Sequence, residues 1–175
     1  PSRPALSQLP LDMGTHLPLM ASWPRDQPVS GQAPYASWVV SVPMRDATGQ
    51  LQVVPALVPR GQDARVGELP LSRANLLRQS FKLLGERYGW GHDYAGRDCS
   101  GFLSDVFATF GVRMPRNTGD QARSPAFAHQ SFDESASRDM RMRAVGRLQA
   151  GDLVYIPGHV LMVVGFEHGE PWVIH

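Results

Sequence analysis

The chain has 175 residues, enough for one domain or two small ones, and 42% of them are hydrophobic, so a packed core forms without staples. Seventeen basic against sixteen acidic residues give a formal charge of +1, which excludes nucleic-acid binding through bulk charge. No run approaches the roughly 18 apolar residues that span a bilayer, and a single cysteine excludes both an internal disulfide and a multi-thiolate zinc site.

Eleven of the fifteen prolines fall in residues 1–70 and four after. That shift predicts a boundary near residue 68, with a β-rich part before it. Residues 38–42 and 51–58 read as strands, with Asp46-Ala-Thr-Gly49 as the turn between them. Of the aromatics here, Trp23, Tyr35 and Trp38, at least two are expected in the core. Ser72 then offers a helix cap, and Leu76, Leu77, Phe81 and Leu84 recur at helical spacing up to about residue 88. A clearer helix follows. Cys99, Phe102, Leu103, Val106, Phe107 and Phe110 form one apolar face, stopped by Gly111. Residues 116–147 are polar and read mostly as loop. Residues 152–156, 159–166 and 171–175 read as strands. Helices followed by an antiparallel sheet make the second part α+β.

Cys99 stands in the first turn of its helix, where backbone N–H groups and the helix dipole favour negative charge, one recognised source of thiolate character. The small neighbours Ser100, Gly101 and Gly96 leave room for a substrate backbone. The competing reading makes Cys99 the first core residue of an amphipathic helix, and periodicity alone leaves both open. A nucleophilic cysteine needs a histidine base and a group to orient it. Of six histidines, His159 and His175 occupy strands in apolar settings; His92, in the loop before Cys99, is a candidate rim residue. If Glu167-His168-Gly169 is a three-residue hairpin loop, Leu161 faces His175, and His159 becomes its diagonal neighbour on the same face. A two-residue loop places the two histidines on opposite faces. Two unrelated strand histidines are the alternative.

Several motifs together resemble one family. Tyr88-Gly-Trp90-Gly91 and Arg97-Asp98-Cys99-Ser100-Gly101-Phe102 look like the nucleophile region of the NlpC family of bacterial cell-wall cysteine peptidases. Met114-Pro115-Arg116-Asn117 resembles the segment after the nucleophile helix. Leu148-Gln-Ala-Gly151-Asp152-Leu153-Val154 with Gly158-His159-Val160 resembles the strand leading to the base, and Trp172-Val-Ile-His175 the strand bearing the third residue. The match runs over residues 69–175. Met13-Gly-Thr-His-Leu-Pro18 more weakly resembles the bacterial SH3-like domain that often precedes this peptidase.

The resemblance implies an α+β, papain-like catalytic domain over residues 69–175 and a small all-β SH3-like domain over 1–68. It implies hydrolysis of peptidoglycan stem peptides or muropeptides between γ-D-glutamate and a diamino acid, in the cell envelope or outside, with no cofactor. Carried over by position, Cys99 is the nucleophile, His159 the base and His175 the orienting residue. Tyr88, Trp90, His92, Asp98 and Ser100 are candidate oxyanion and substrate contacts. The chain departs from the pattern in two places: His92 stands where the family often has a glycine, and the sequence stops at the third catalytic position. Since it also begins at Pro1, a processed, trimmed or fragmentary chain is expected. Competing readings are a non-catalytic cell-wall binding module, a related Cys-His amidase or transferase, and a metal site formed by Cys99, His159 and His175.

Overall fold

The computed structural model describes residues 9–175; the expectations for residues 1–8 lie outside them. The chain divides into two compact units, one ending at Glu68 and the other spanning Leu69–His175. No helix among the described residues is long and apolar enough to cross a membrane.

The first unit is built on two antiparallel strands, β1 (Ser37–Arg45) and β2 (Leu51–Pro59), in register from Ser37 opposite Pro59 to Arg45 opposite Leu51. Asp46 fixes the turn between them, its Oδ1 accepting from the Thr48 and Gln50 N–H groups at 2.8 and 3.0 Å. Alternation puts Val40, Val42 and Val54 on one buried face, with Leu17, Trp38, Met44, Ala56 and Val58 packed against it. Trp38 packs on this core and Trp23 is half-buried, whereas Tyr35 is 81% exposed.

The second unit packs helices on a three-stranded antiparallel sheet. Helix α1 (Arg73–Phe81) starts at Ser72, whose hydroxyl accepts from the Asn75 N–H. It ends sooner than its apolar spacing predicts. From Lys82 onward the N–H groups of residues 82, 83 and 84 reach back three residues instead of four, and the last turn tightens before Gly85. Helix α2 (Cys99–Ala108) begins at Asp98, whose carboxylate accepts from the Gly101 N–H at 2.7 Å. Two further short helices, α3 (Thr118–Ala122) and α4 (Arg138–Val145), occupy a segment expected to be loop. Helix α4 buries no residue, so it carries no apolar stripe to read. Its support is local: Ser137 caps the Met140 N–H, Asp139 lies in the first turn and Arg143 in the last, matching the dipole.

The sheet runs β3 (Leu153–Ile156), β4 (His159–Glu167), β5 (Glu170–Ile174), with β4 central. The β4–β5 connection is not the expected three-residue loop. Glu167 pairs with Glu170, leaving a two-residue turn of His168 and Gly169, both left-handed at φ 51° and 85°. That turn alone puts His159 and His175 on opposite faces. The register then shifts by one between Val163 and Gly165, so that Val163 faces Val173 and Met162 faces Ile174. Val164 is the extra residue of a β-bulge. The shift cancels the parity change of the shorter turn, and continuing the register sets His175 opposite Leu161. Helix α2 packs against α1 and β4. Leu103, Val106, Val160, Met162 and Val163 are the best-buried apolar side chains of this unit, each at most 1% exposed.

Leu103→Ala, which removes three carbons from this core, is expected to lower unfolding free energy by about 2–5 kcal/mol. Urea denaturation followed by circular dichroism reads the change, and a loss well under 1 kcal/mol contradicts the packing described.

Candidate active site

Two pieces of backbone carry the candidate residues. One is the turn-rich segment before α2. Gly89 and Gly96 approach so closely that a Cβ on Gly89 would meet Asp93 O at 2.1 Å, and one on Gly96 would meet Arg87 O at 2.3 Å. Only glycine fits this neck. Between the two lies a tight loop in which His92, Tyr94 and Ala95 all hold left-handed φ values of 55–70°, at a cost of order 1–3 kcal/mol each. Hydrogen bonds from Gly89 N to Arg97 O, His92 N to Gly89 O and Gly96 N to Asp93 O hold it shut. The other piece is the β4–β5 pair.

Cys99 is buried at the start of α2. The Tyr88 hydroxyl interacts with both its backbone N–H and its thiol. Burial, then the charges of Cys99 and Asp98, push the Tyr88 hydroxyl above its ordinary range, so it stays a proton donor. His159 Nε2 lies 3.0 Å from His175 Nδ1, and the two rings meet edge to face with centroids 4.8 Å apart. His159 projects from the strand against which α2 packs. A cavity of about 100 Å³ is lined by Tyr88, Arg97, Asp98 and Phe102 on one side and by Ile174 and His175 on the other. The fold thus brings the start of α2, Tyr88 and the histidine pair to one place. Among the described residues no three His, Cys, Asp or Glu side chains converge as a metal cage.

Asp98 and Ser100, expected as substrate contacts, are both buried and engaged in scaffolding. Asp98 Oδ1 accepts from Gly101 N, Ser100 Oγ and Arg116 Nη1 at 2.7, 3.2 and 3.1 Å. Its Oδ2 accepts from Arg116 Nη2 and Gly91 N at 2.6 and 3.2 Å. Burial pushes this carboxyl up, but hydrogen bonds from Arg116, Gly101 and Gly91 outweigh it and hold it at about 2. The carboxylate has no acceptor site left for a ligand. His92 does stand at the rim: its Nδ1 is 3.2 Å from Arg116 Nη2, and its ring lies where a Cβ on Gly101 would come within 2.9 Å. Because a guanidinium only donates, His92 Nδ1 accepts and its Nε2 carries the proton. Trp90 stands 77% exposed on the same loop.

Arg116 and Gln121 are the parts that sequence reasoning missed. Arg116 grips Asp98 from 18 positions away. Buried Gln121 donates to Pro115 O, Ser100 O and Ser104 Oγ, fastening the following loop to α2. The signals in the sequence were the Met114-Pro115-Arg116-Asn117 resemblance and a basic residue after a helix stop, neither of which says where the side chain goes.

A family model described as the NlpC/P60 family matches residues 85–175. The chain is 40% identical over 57 residues to the probable endopeptidase p60 of Listeria welshimeri, covering 32% of this chain and 11% of that protein. It is 32% identical over 96 residues to the probable endopeptidase p60 of Listeria seeligeri, covering 51% of this chain and 16% of that protein. An NlpC/P60 endopeptidase from Photobacterium damselae subsp. piscicida, of known structure, superposes with a TM-score of 0.56 at 20% identity over 77% of this chain and 32% of that one; the likeness is one of fold. The chain therefore spans under a third of the length of each relative.

Burial, and then the His175 charge, hold the His159 imidazole below the ordinary 6.5. As pH falls from 7, His159 is expected to take its proton later than a free histidine. The unfolded chain protonates first, so this group's share of stability is intact above pH 6.5 and is lost as pH falls toward the folded value. NMR titration of ¹⁵N-histidine is expected to place the His159 midpoint below 6.5; a midpoint at or above 6.5 contradicts the environment described.

Proposed function

The chain belongs to the NlpC/P60 family, and from that premise we propose that it is a cysteine peptidase of peptidoglycan, cutting stem peptides between γ-D-glutamate and a diamino acid. The observation that carries the proposal is the 3.0 Å contact between His159, on the strand that adjoins the helix Cys99 begins, and His175. A base with an oriented ring and a thiol at a helix N-terminus is the arrangement acyl transfer requires.

With His159 Nε2–H donating to His175 Nδ1, the lone pair stands on His159 Nδ1, the nitrogen left for the thiol. Its lowered proton affinity keeps that nitrogen free at neutral pH. In the proposed reaction the Cys99 proton passes to His159 and the sulfur attacks the γ-carbonyl carbon. Charge gathers on the carbonyl oxygen, where the Cys99 N–H and the Tyr88 hydroxyl stabilise it. The C–N bond breaks as His159 returns its proton to the leaving amine, and a thioester remains on Cys99. Water then gives a proton to His159 and adds to the thioester. Collapse frees the glutamyl γ-carboxylate and restores the thiol.

Trp90 and His92 flank this site and are the side chains we assign to substrate contact. Saturated Asp98 and Ser100 act from behind as support. The same proposal takes residues 1–68 as an SH3-like module; the two long strands and valine core of the first unit support an all-β reading. A cell-wall substrate assigns the work to the envelope or the exterior.

Incubating the protein with muropeptides and with free L-Ala-γ-D-Glu-diamino acid tripeptide, beside Cys99→Ala, tests the reading by mass spectrometry. Cleavage after D-glutamate, read as L-Ala-D-Glu from the tripeptide and as the sugar-linked dipeptide from muropeptides, is expected from the wild type, with a loss of at least roughly a thousandfold in the variant. Undiminished release by Cys99→Ala ends the proposal.

A further inference from the structure

Asp98 immediately precedes the candidate nucleophile, and its carboxylate caps the nucleophile helix through the Gly101 N–H at 2.7 Å. The cap stabilises the helix, yet a carboxylate beside a sulfur opposes negative charge on that sulfur. The two roles conflict unless something removes the charge without removing the cap.

Arg116 is placed to do this. Its guanidinium grips both Asp98 oxygens, Nη2 to Oδ2 at 2.6 Å and Nη1 to Oδ1 at 3.1 Å, in the bidentate geometry that only arginine offers a carboxylate. Asp98 is only 10% exposed by side chain, so the pair is poorly screened from its inner side. The same guanidinium donates to Ser100 Oγ at 3.0 Å and meets His92 Nδ1 at 3.2 Å, so it is tied to the residues on either side of the nucleophile turn. The Arg116 proton is held more tightly than usual, first by the hydrogen bond to Asp98, with the charge of Cys99 contributing.

We propose that Arg116 is a positioning residue for the nucleophile: by gripping and neutralising Asp98, it lets the helix cap stand beside a Cys99 thiolate without opposing it. The inference rests on the reading of Cys99 as the nucleophile, and its test reads the thiol itself rather than turnover. Other titratable groups face this place: Tyr88 from the preceding segment, His92 behind Arg116, Asp105 with Arg97 and Glu86 one side further along α2, and His159 and His175 from the sheet. None is altered by the variants below.

Because Cys99 is the chain's only cysteine, iodoacetamide uptake followed by intact mass reports it alone. Rates are measured from pH 5 to 10 in the wild type and in Arg116→Gln, Arg116→Lys, Asp98→Asn and the double variant Asp98→Asn/Arg116→Gln, with thermal melts of each. Removing an opposite charge at this range is worth roughly tenfold or more in thiolate population. Arg116→Gln is therefore expected to react about tenfold more slowly at pH 7, with its rate profile moved to higher pH. Arg116→Lys keeps most of the rate. The double variant recovers toward wild type, since asparagine still caps the helix but carries no charge. Asp98→Asn alone, which leaves Arg116 unopposed, moves the profile to lower pH, and this arm stands even if Arg116→Gln does not fold. A wild-type profile in Asp98→Asn, or in a folded Arg116→Gln, overturns the proposal, as does a double variant no faster than Arg116→Gln. Alkylation as expected without hydrolysis by the wild type ends the peptidase reading and leaves the charge pairing standing. Hydrolysis by the wild type with alkylation indifferent to Arg116 does the reverse.

Discussion

Side chains on a strand alternate, so one residue gained or lost between two paired positions reverses which face each occupies. The contact between His159 and His175 depends on that count. The turn at His168 and Gly169 is one residue shorter than the geometry needs, and the bulge at Val164 supplies the missing residue in the strand instead. Both histidines then lie on one face of the sheet, with their nitrogens 3.0 Å apart. The burial that lowers the proton affinity of His159 follows from the same placement. Without the bulge, alternation would turn His175 to the other face and leave His159 without its neighbour.

A second constraint acts at the start of α2. Asp98 accepts five hydrogen bonds, from Gly91, Ser100, Gly101 and twice from Arg116. These join the strained loop, the first turn of α2 and the segment after the helix into one polar network, buried at Asp98 and Ser100 and open to solvent at Arg116. The left-handed residues of that loop persist because the narrow Gly89–Gly96 neck and these bonds over-determine the backbone. Such a site is built on the ends of rigid elements, with small residues, Gly96 and Gly101, where other groups must come close.

Much of this was legible in the sequence. The apolar face from Cys99 to Phe110 has the helical period, and its buried residues are those the period selects. The strands, too, appear where β-branched runs alternate. Motif order supplied the candidate site residues, and the fold adds that two of them, His159 and His175, meet at 3.0 Å. What sequence could not give were features set by pairing across long separations. The Val164 bulge leaves no composition signal, and a three-residue loop looked equally good because Gly169 suits either turn. Helix α4 escaped because it buries nothing and forms on caps and charges alone. Asp98 and Ser100 read as substrate contacts since they flank the nucleophile; only the fold shows that Arg116 and the helix N–H groups already occupy them.

The central claim is that Cys99 carries the acyl group during turnover. Rapid quench of the protein with stem tripeptide, followed by digestion and peptide mass spectrometry, reads it directly. The account predicts a transient L-Ala-γ-D-glutamyl thioester on the peptide containing Cys99, released by hydroxylamine and formed before free dipeptide accumulates. Dipeptide appearing at full rate with no adduct on that peptide at any quench time would contradict it.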